Sequence, residues 1–148
     1  MFTVSQLLAH KQEAGTRTVA TVTPGTTVLD AARLMNDQHI GSLVVTDADG
    51  GVAGIITERD FLRRVIAAEK TPAETPVRDV MTRDVLTCSP HTKLDEIRGV
   101  MREKRIRHLP VIDERGLHGM ISIGDLNFAE SQNLSEQVNH LESYIRSA

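Results

Sequence analysis

The chain has 148 residues, 40% hydrophobic and 25% charged, with 17 Lys and Arg against 20 Asp and Glu. This is the composition of an ordinary globular protein, and its formal charge of −3 excludes a general basic field for holding nucleic acid. Three Phe, one Tyr and no Trp leave little material for stacking bases, Cys88 has no second cysteine to pair with, and no apolar run reaches the ~20 residues of a membrane span. Met1-Phe2-Thr3-Val4 also lacks the basic and apolar regions of an export signal, so a reducing, cytoplasmic setting without membrane or nucleic-acid partners is expected.

Val4, Leu7 and Leu8 predict a short amphipathic helix within residues 1–16. From residue 17 the chain repeats itself. Residues 17–50 align with 83–116 at an offset of 66, and residues 52–60 with 117–125 at an offset of 65; 14 of these 43 pairs are identical. Chance would give about 6% for average composition, so the duplication is real. Each copy reads as an extended piece (Val19–Thr23; Val85–Ser89), a helix with apolar positions Val28, Ala31, Ala32, Met35 or Leu94, Ile97, Val100, Met101, and a strand (Leu43–Val45; Leu109–Ile112). An Asp/Gly turn, a second strand (Val52–Ile56; Leu117–Ile121) and a second helix follow. The unit is β-α-β-β-α, over residues 17–70 and 80–130, with Pro72 and Pro76 marking a linker at 71–79. A single copy of this size buries too little surface to stand alone. The fold class expected is therefore α/β (α+β): two repeats packed sheet to sheet with pseudo-two-fold symmetry, creating two equivalent clefts. In residues 131–148, Leu134, Val138, Leu141 and Ile145 form an apolar stripe, either folded back on the chain's own repeats or contributing to a dimer.

The strand-to-helix junctions carry the candidate chemistry. They read Gly54-Ile55-Ile56-Thr57-Glu58-Arg59-Asp60 and Gly119-Met120-Ile121-Ser122-Ile123-Gly124-Asp125. A helix starting there turns unpaired N–H groups toward the cleft, which suits a phosphate; Thr57 or Ser122 adds a hydroxyl, and Asp60 or Asp125 can accept from ribose hydroxyls. The same Thr-x-x-Asp spacing is also a helix-capping pattern, and at Thr27–Asp30 and Thr92–Asp95 it is read as capping alone.

With Val80-Met81-Thr82-Arg83-Asp84-Val85 and Ile106-Arg107-His108-Leu109-Pro110-Val111, these junctions resemble a tandem pair of CBS domains, a Bateman module, over residues 17–130. The resemblance implies binding of adenosine nucleotides: AMP, ADP, ATP, or in some members NAD or S-adenosylmethionine. Carried over by position, one cleft would use Thr57 and Asp60 with Arg83, Asp84 and Val85; the other would use Ser122 and Asp125 with Arg17, Thr18 and Val19. Gly41, Ser42, Arg107 and His108 would lie beside the ligands. Because Gly41-Ser42 stands where the second copy has Arg107-His108, the two sites are expected to differ in affinity. Copy one also has Ala14-Gly15-Thr16 in place of the Met-Thr lead-in.

Other features point elsewhere less specifically. The basic run Arg102, Lys104, Arg105, Arg107 and His108 reads first as a solvated helix end, with Arg107 and His108 closest to a phosphate role. The six His residues show no ligand spacing for a metal, and neither a Gly-x-Ser-x-Gly elbow nor a Gly-x-x-x-x-Gly-Lys loop occurs. The expected function is a non-catalytic regulatory sensor that binds an adenosine nucleotide, forms a homodimer and signals to an unidentified effector protein. The rival is a constitutive assembly module with vestigial clefts, and a nucleotide-acting enzyme using His108 and Asp125 ranks behind both.

Overall fold

The computed structural model describes residues 3–15 and 19–147. Helix α1 (Val4–Glu13) opens with a reciprocal cap: Thr3 Oγ1 accepts the Gln6 N–H at 3.2 Å, and the Gln6 side chain accepts the Thr3 N–H at 2.9 Å. Its apolar face, Val4, Leu7 and Leu8, is buried not in the first repeat but in the core of the second, among Ile97, Met101, Leu109 and Ile121.

The first repeat holds β1 (Thr21–Val22), α2 (Val28–Gln38), β2 (Ser42–Thr46), β3 (Val52–Thr57) and α3 (Glu58–Asp60), which runs on as a π-helical segment, Phe61–Ile66. The sheet order is β1-β2-β3, with β1 parallel and β3 antiparallel to β2. Thr27 caps α2 through the Asp30 N–H at 3.1 Å, and His39 ends it in the left-handed region at φ 54°. Across the second repeat come α4 (Leu94–Lys104), β4 (His108–Asp113), antiparallel β5 (Gly116–Ser122) and α5 (Ile123–Ser147).

The strands alternate between two interiors, as the pleat requires. Leu43, Val45 and Ile56 face the core beneath α2, while Val44 and Ile55 turn the other way to meet Met120 of β5, flanked by Val19, Val85 and Leu117. This small cluster is where the two repeats meet, as the duplication predicts, and each large side chain buried there contributes roughly 1.5–3 kcal/mol.

Three expectations need correction. Val85–Ser89 does not form a strand; it pairs only as an isolated parallel bridge, Cys88 with Val111. The reason is one residue. In the first repeat the Val44 N–H donates to the Ala20 carbonyl at 3.0 Å, but Val44 aligns with Pro110, which has no N–H to continue that ladder. Thr92 does not cap α4: Lys93 occupies the cap position without a side-chain bond, and Thr92 Oγ1 instead accepts the Ser89 N–H at 2.9 Å. Finally, residues 131–147 are not a separate helix folded back on the repeats. With no Gly or Pro after Gly124 to stop it, α5 runs unbroken for 25 residues, about 37 Å at the helical rise. Leu134, Val138, Leu141 and Ile145 lie 53–71% exposed along it.

Candidate functional site

The first junction is built by a close backbone approach. Ile55 of β3 exchanges two hydrogen bonds with Thr82, at 3.0 and 2.9 Å, so the lead-in to the second repeat is strapped onto the first. A Cβ on Gly54 would lie 2.6 Å from the Thr82 carbonyl oxygen and 2.8 Å from Met81 Sδ, which explains why glycine stands there. Arg64, from the π-helical segment, donates to the Val80 and Met81 carbonyls at 3.2 and 2.9 Å and holds the same strap from its other side.

Thr57 and Asp60 do cap the helix. Asp60 Oδ2 accepts the Thr57 N–H at 3.0 Å, and Thr57 Oγ1 accepts the Asp60 N–H at 3.4 Å. The expected row of open amides is also shorter than the spacing suggests, because the Glu58 N–H donates to the Gly41 carbonyl at 3.2 Å. Asp60 is buried, yet its second oxygen faces the cleft: Oδ1 accepts from Thr82 Oγ1 at 3.3 Å and lies 3.8 Å from Arg64 Nε.

These groups line a cavity of about 270 Å³ that draws on both repeats. Thr57, Asp60 and Gly41 come from the first repeat, Thr82 from the lead-in, and Arg107 and His108 from the second. Of the residues assigned to this cleft by position, Arg83, Asp84 and Val85 do not line it. Arg83 is exposed and donates to the Arg78 carbonyl at 2.9 Å, Asp84 is exposed, and Val85 packs in the inter-sheet cluster; Thr82 takes the place given to them. Ser42 is buried beside Thr57 in the β2–β3 ladder rather than in the cavity wall. Burial lowers the His108 pKa from its usual value, opposed by Glu58 and Asp125 and assisted by Lys11 and Arg107. The ring therefore stays neutral near pH 7 and feels charges of both junctions.

The second junction repeats the cap: the Ser122 N–H reaches Asp125 Oδ2 at 2.8 Å, and the Asp125 N–H reaches Ser122 Oγ at 3.1 Å. It differs in having an occupant. Lys11 Nζ, from α1, sits 2.9 Å from Asp125 Oδ2 and donates to the Met120 carbonyl at 2.8 Å, both side chains being largely buried. His10 stacks on Phe128 of α5 with ring centroids 4.7 Å apart, fixing α1 over this junction. Val19 packs into the inter-sheet cluster, and Arg17 and Thr18 lie outside the described residues. Lys11 could not be found from the repeat, because α1 has no counterpart in it. Thr82 was legible in the Met81-Thr82 motif.

Among the described residues no three His, Cys, Asp or Glu side chains gather as metal ligands would, and no helix is long and apolar enough to cross a membrane. Cys88 is buried, which pushes its thiol up to about 11 and leaves it unreactive.

The CBS domain family matches residues 12–67 and 77–131, the two halves of the duplication. The chain belongs to the CBS-domain family. It is 36% identical over 148 residues to the mitochondrial CBS domain-containing protein CBSX3 of Arabidopsis thaliana, covering 97% of this chain and 72% of that one. The CBS-domain-containing protein ATU1752 of Agrobacterium tumefaciens superposes with a TM-score of 0.78 at 37% identity, over 87% of this chain and 99% of the other. A hexameric CBS-CP12 protein from bloom-forming cyanobacteria follows the same fold at a TM-score of 0.75 and 26% identity, over 86% of this chain and 67% of the other. The CBS pair thus accounts for most of the chain, and α1 and the outer half of α5 are its additions.

Proposed function

We propose that this CBS pair is a non-catalytic cytoplasmic regulatory module that binds an adenosine nucleotide (AMP, ADP, ATP or NAD) in the first cleft and relays the change to an effector protein. The observation that carries this reading is the convergence of both repeats on one cavity: Thr57 and Asp60 from one side, Arg107 and His108 from the other, with Thr82 between. A ligand spanning that cavity binds one arrangement of the repeats better than another, which is what a relay needs. Asp60 Oδ1 and Thr57 Oγ1 suit ribose and phosphate oxygens, and the Ile55 and Ile106 side chains in the same cavity lining offer apolar surface to an adenine.

Thermal melts with AMP, ADP, ATP and NAD, against GMP and CMP, test it. A ligand at a hundredfold excess over its Kd adds about 2.7 kcal/mol. Asp60→Asn keeps an oxygen for the Thr57 N–H but removes the carboxylate; calorimetry should show at least a tenfold loss of affinity, with unliganded stability lowered by no more than about 1 kcal/mol. No shift with any adenine compound, or a large stability loss at unchanged affinity, leaves Asp60 as a cap and favours the constitutive assembly module instead.

Self-association belongs to the same reading. Leu134, Val138, Leu141, Tyr144 and Ile145 expose an apolar stripe on α5 that a second copy would cover, and the cyanobacterial relative is hexameric. Light scattering on full-length protein and on a chain ending at residue 130 should show a homodimer that weakens on truncation. A full-length monomer at micromolar concentration would refute it.

A further inference from the structure

The repeat lets every residue of one cleft be compared with its counterpart, and the comparison isolates arginine. In the second repeat, Arg98, Arg102, Arg105 and Arg107 stand at the positions held in the first by Ala32, Asn36, His39 and Gly41. On the opposite wall, Arg59, Arg63 and Arg64 of the first repeat align with Gly124, Phe128 and Ala129 of the second. Seven arginines therefore surround the first cleft, and none of their counterparts in the other repeat is charged. The fold brings them together around the 270 Å³ cavity and an adjoining cavity of about 520 Å³, which share Arg59, Arg63, Arg105 and Arg107 as walls. The equivalent cavity of the first repeat, about 430 Å³, is lined by the uncharged counterparts; Glu58 lines both it and the 270 Å³ cavity.

Some of these charges already have structural work. Arg64 holds the strap, Arg98 meets Glu130 at 3.3 Å and the Leu126 carbonyl at 3.0 Å, and Arg59 donates to the Arg105 carbonyl at 3.3 Å. Arg63, Arg102, Arg105 and Arg107 make no side-chain hydrogen bond or ion pair among the described residues, and no carboxylate lines the larger cavity. Four unpaired guanidiniums gathered around one cavity in a chain with net charge −3 repel one another, and an anion between them relieves that repulsion. Each guanidinium offers a planar fork matched to phosphate oxygens. Arg107 lines both cavities whereas Arg102 lines only the larger one, so a single phosphate beside Thr57 leaves Arg102 unused.

We propose that the two cavities form one groove for a polyphosphate chain, so that the first cleft selects a ligand with three or more linked phosphates, the chain running from Thr57 past Arg107 to Arg63, Arg105 and Arg102. This rests on the nucleotide reading for the base and ribose, and adds to it the ligand class. The chemistry is shared by a nucleoside triphosphate and by inorganic polyphosphate.

Calorimetry on the full chain at fixed ionic strength, with AMP, ATP and inorganic tripolyphosphate as probes, separates the outcomes. ATP should bind at least tenfold more tightly than AMP, and tripolyphosphate should bind alone and compete with ATP. The variant Arg102→Gln alters an exposed side chain that lines only the larger cavity and has no partner among the described residues, so it should melt like the parent. It should weaken ATP at least tenfold while changing AMP less than twofold. AMP binding equal to ATP, or a variant that leaves the ratio unchanged, overturns the groove and leaves the nucleotide reading standing. Tripolyphosphate bound as tightly as ATP by a chain that ignores AMP sustains the groove and overturns the nucleotide reading.

Discussion

The two strand-to-helix junctions share one hydrogen-bond pattern and differ in what faces it. In the first, a Thr-x-x-Asp cap opens onto a cavity walled by arginines of both repeats. In the second, a Ser-x-x-Asp cap of matching geometry has its carboxylate closed by Lys11 from a helix outside the duplication. Duplication thus delivers two copies of a backbone device, and side chains added around it decide which copy is open. The cap itself is not the discriminating feature, since it is formed equally well in both.

The comparison breaks most severely at Gly54. A methyl group there collides with the Thr82 carbonyl, which is backbone and cannot swing aside, so Gly54→Ala must part the strap from β3. Overpacking of this kind costs roughly 1–3 kcal/mol, and the upper end is expected because two hydrogen bonds are strained together. Chemical denaturation measures it, and nucleotide binding at the first cleft should be lost in parallel. A change below about 0.5 kcal/mol would show that the close pairing is not what the glycine serves.

Opening the closed junction is the next test. Lys11→Ala removes a charge-assisted hydrogen bond to Asp125 and should lower stability by about 1.5–3 kcal/mol. It should also convert the second junction into a site, raising the calorimetric stoichiometry from one adenosine nucleotide per chain to two. A parent protein that already binds two removes any gating role from Lys11.

Much of the fold was legible because the duplication marks equivalent elements: the apolar runs Leu43–Val45 and Val52–Ile56 lie in β2 and β3, and α2 and α4 carry the apolar positions that helical spacing named. What escaped was set by interactions that local sequence does not encode. The lost strand at Val85–Ser89 depends on a proline beyond α4, in β4, at a partner position knowable only from the pairing. The unbroken α5 follows from the absence of a stop signal, which a change from buried to exposed face disguised as a boundary. At the site, Thr57, Asp60, Arg107 and His108 line one cavity, whereas past the backbone bridge at Thr82 the chain leaves Arg83 and Asp84 exposed and takes Val85 into the inter-sheet cluster. Arg102 and Arg105 sit in a run that reads as an ordinary solvated helix end, and only the fold, which sets them around one cavity with Arg59 and Arg63, makes them a wall.

The smallest expected effect sharpens the comparison, because His108 faces both junctions. Burial holds its folded pKa below the ordinary 6.5 of the unfolded chain, so between those two values the unfolded state carries the extra proton. Stability from this residue is full above pH 6.5 and declines as pH falls toward the folded pKa. A bound phosphate reverses the sign for binding: it favours the imidazolium, so affinity at the first cleft should rise a few-fold as pH drops through the same window. The ligand's own phosphate titrates there too, with a second pKa near 6, and His108→Gln supplies the profile without the ring. Glu58 and Asp125 raise the His108 pKa while Lys11 and Arg107 lower it. In Lys11→Ala the gain in affinity should therefore begin at higher pH than in the parent, read by calorimetry across pH 5 to 8. Identical profiles for the parent and His108→Gln would remove the ring from the site, and an unmoved profile in Lys11→Ala would show that the two junctions do not sense each other through it.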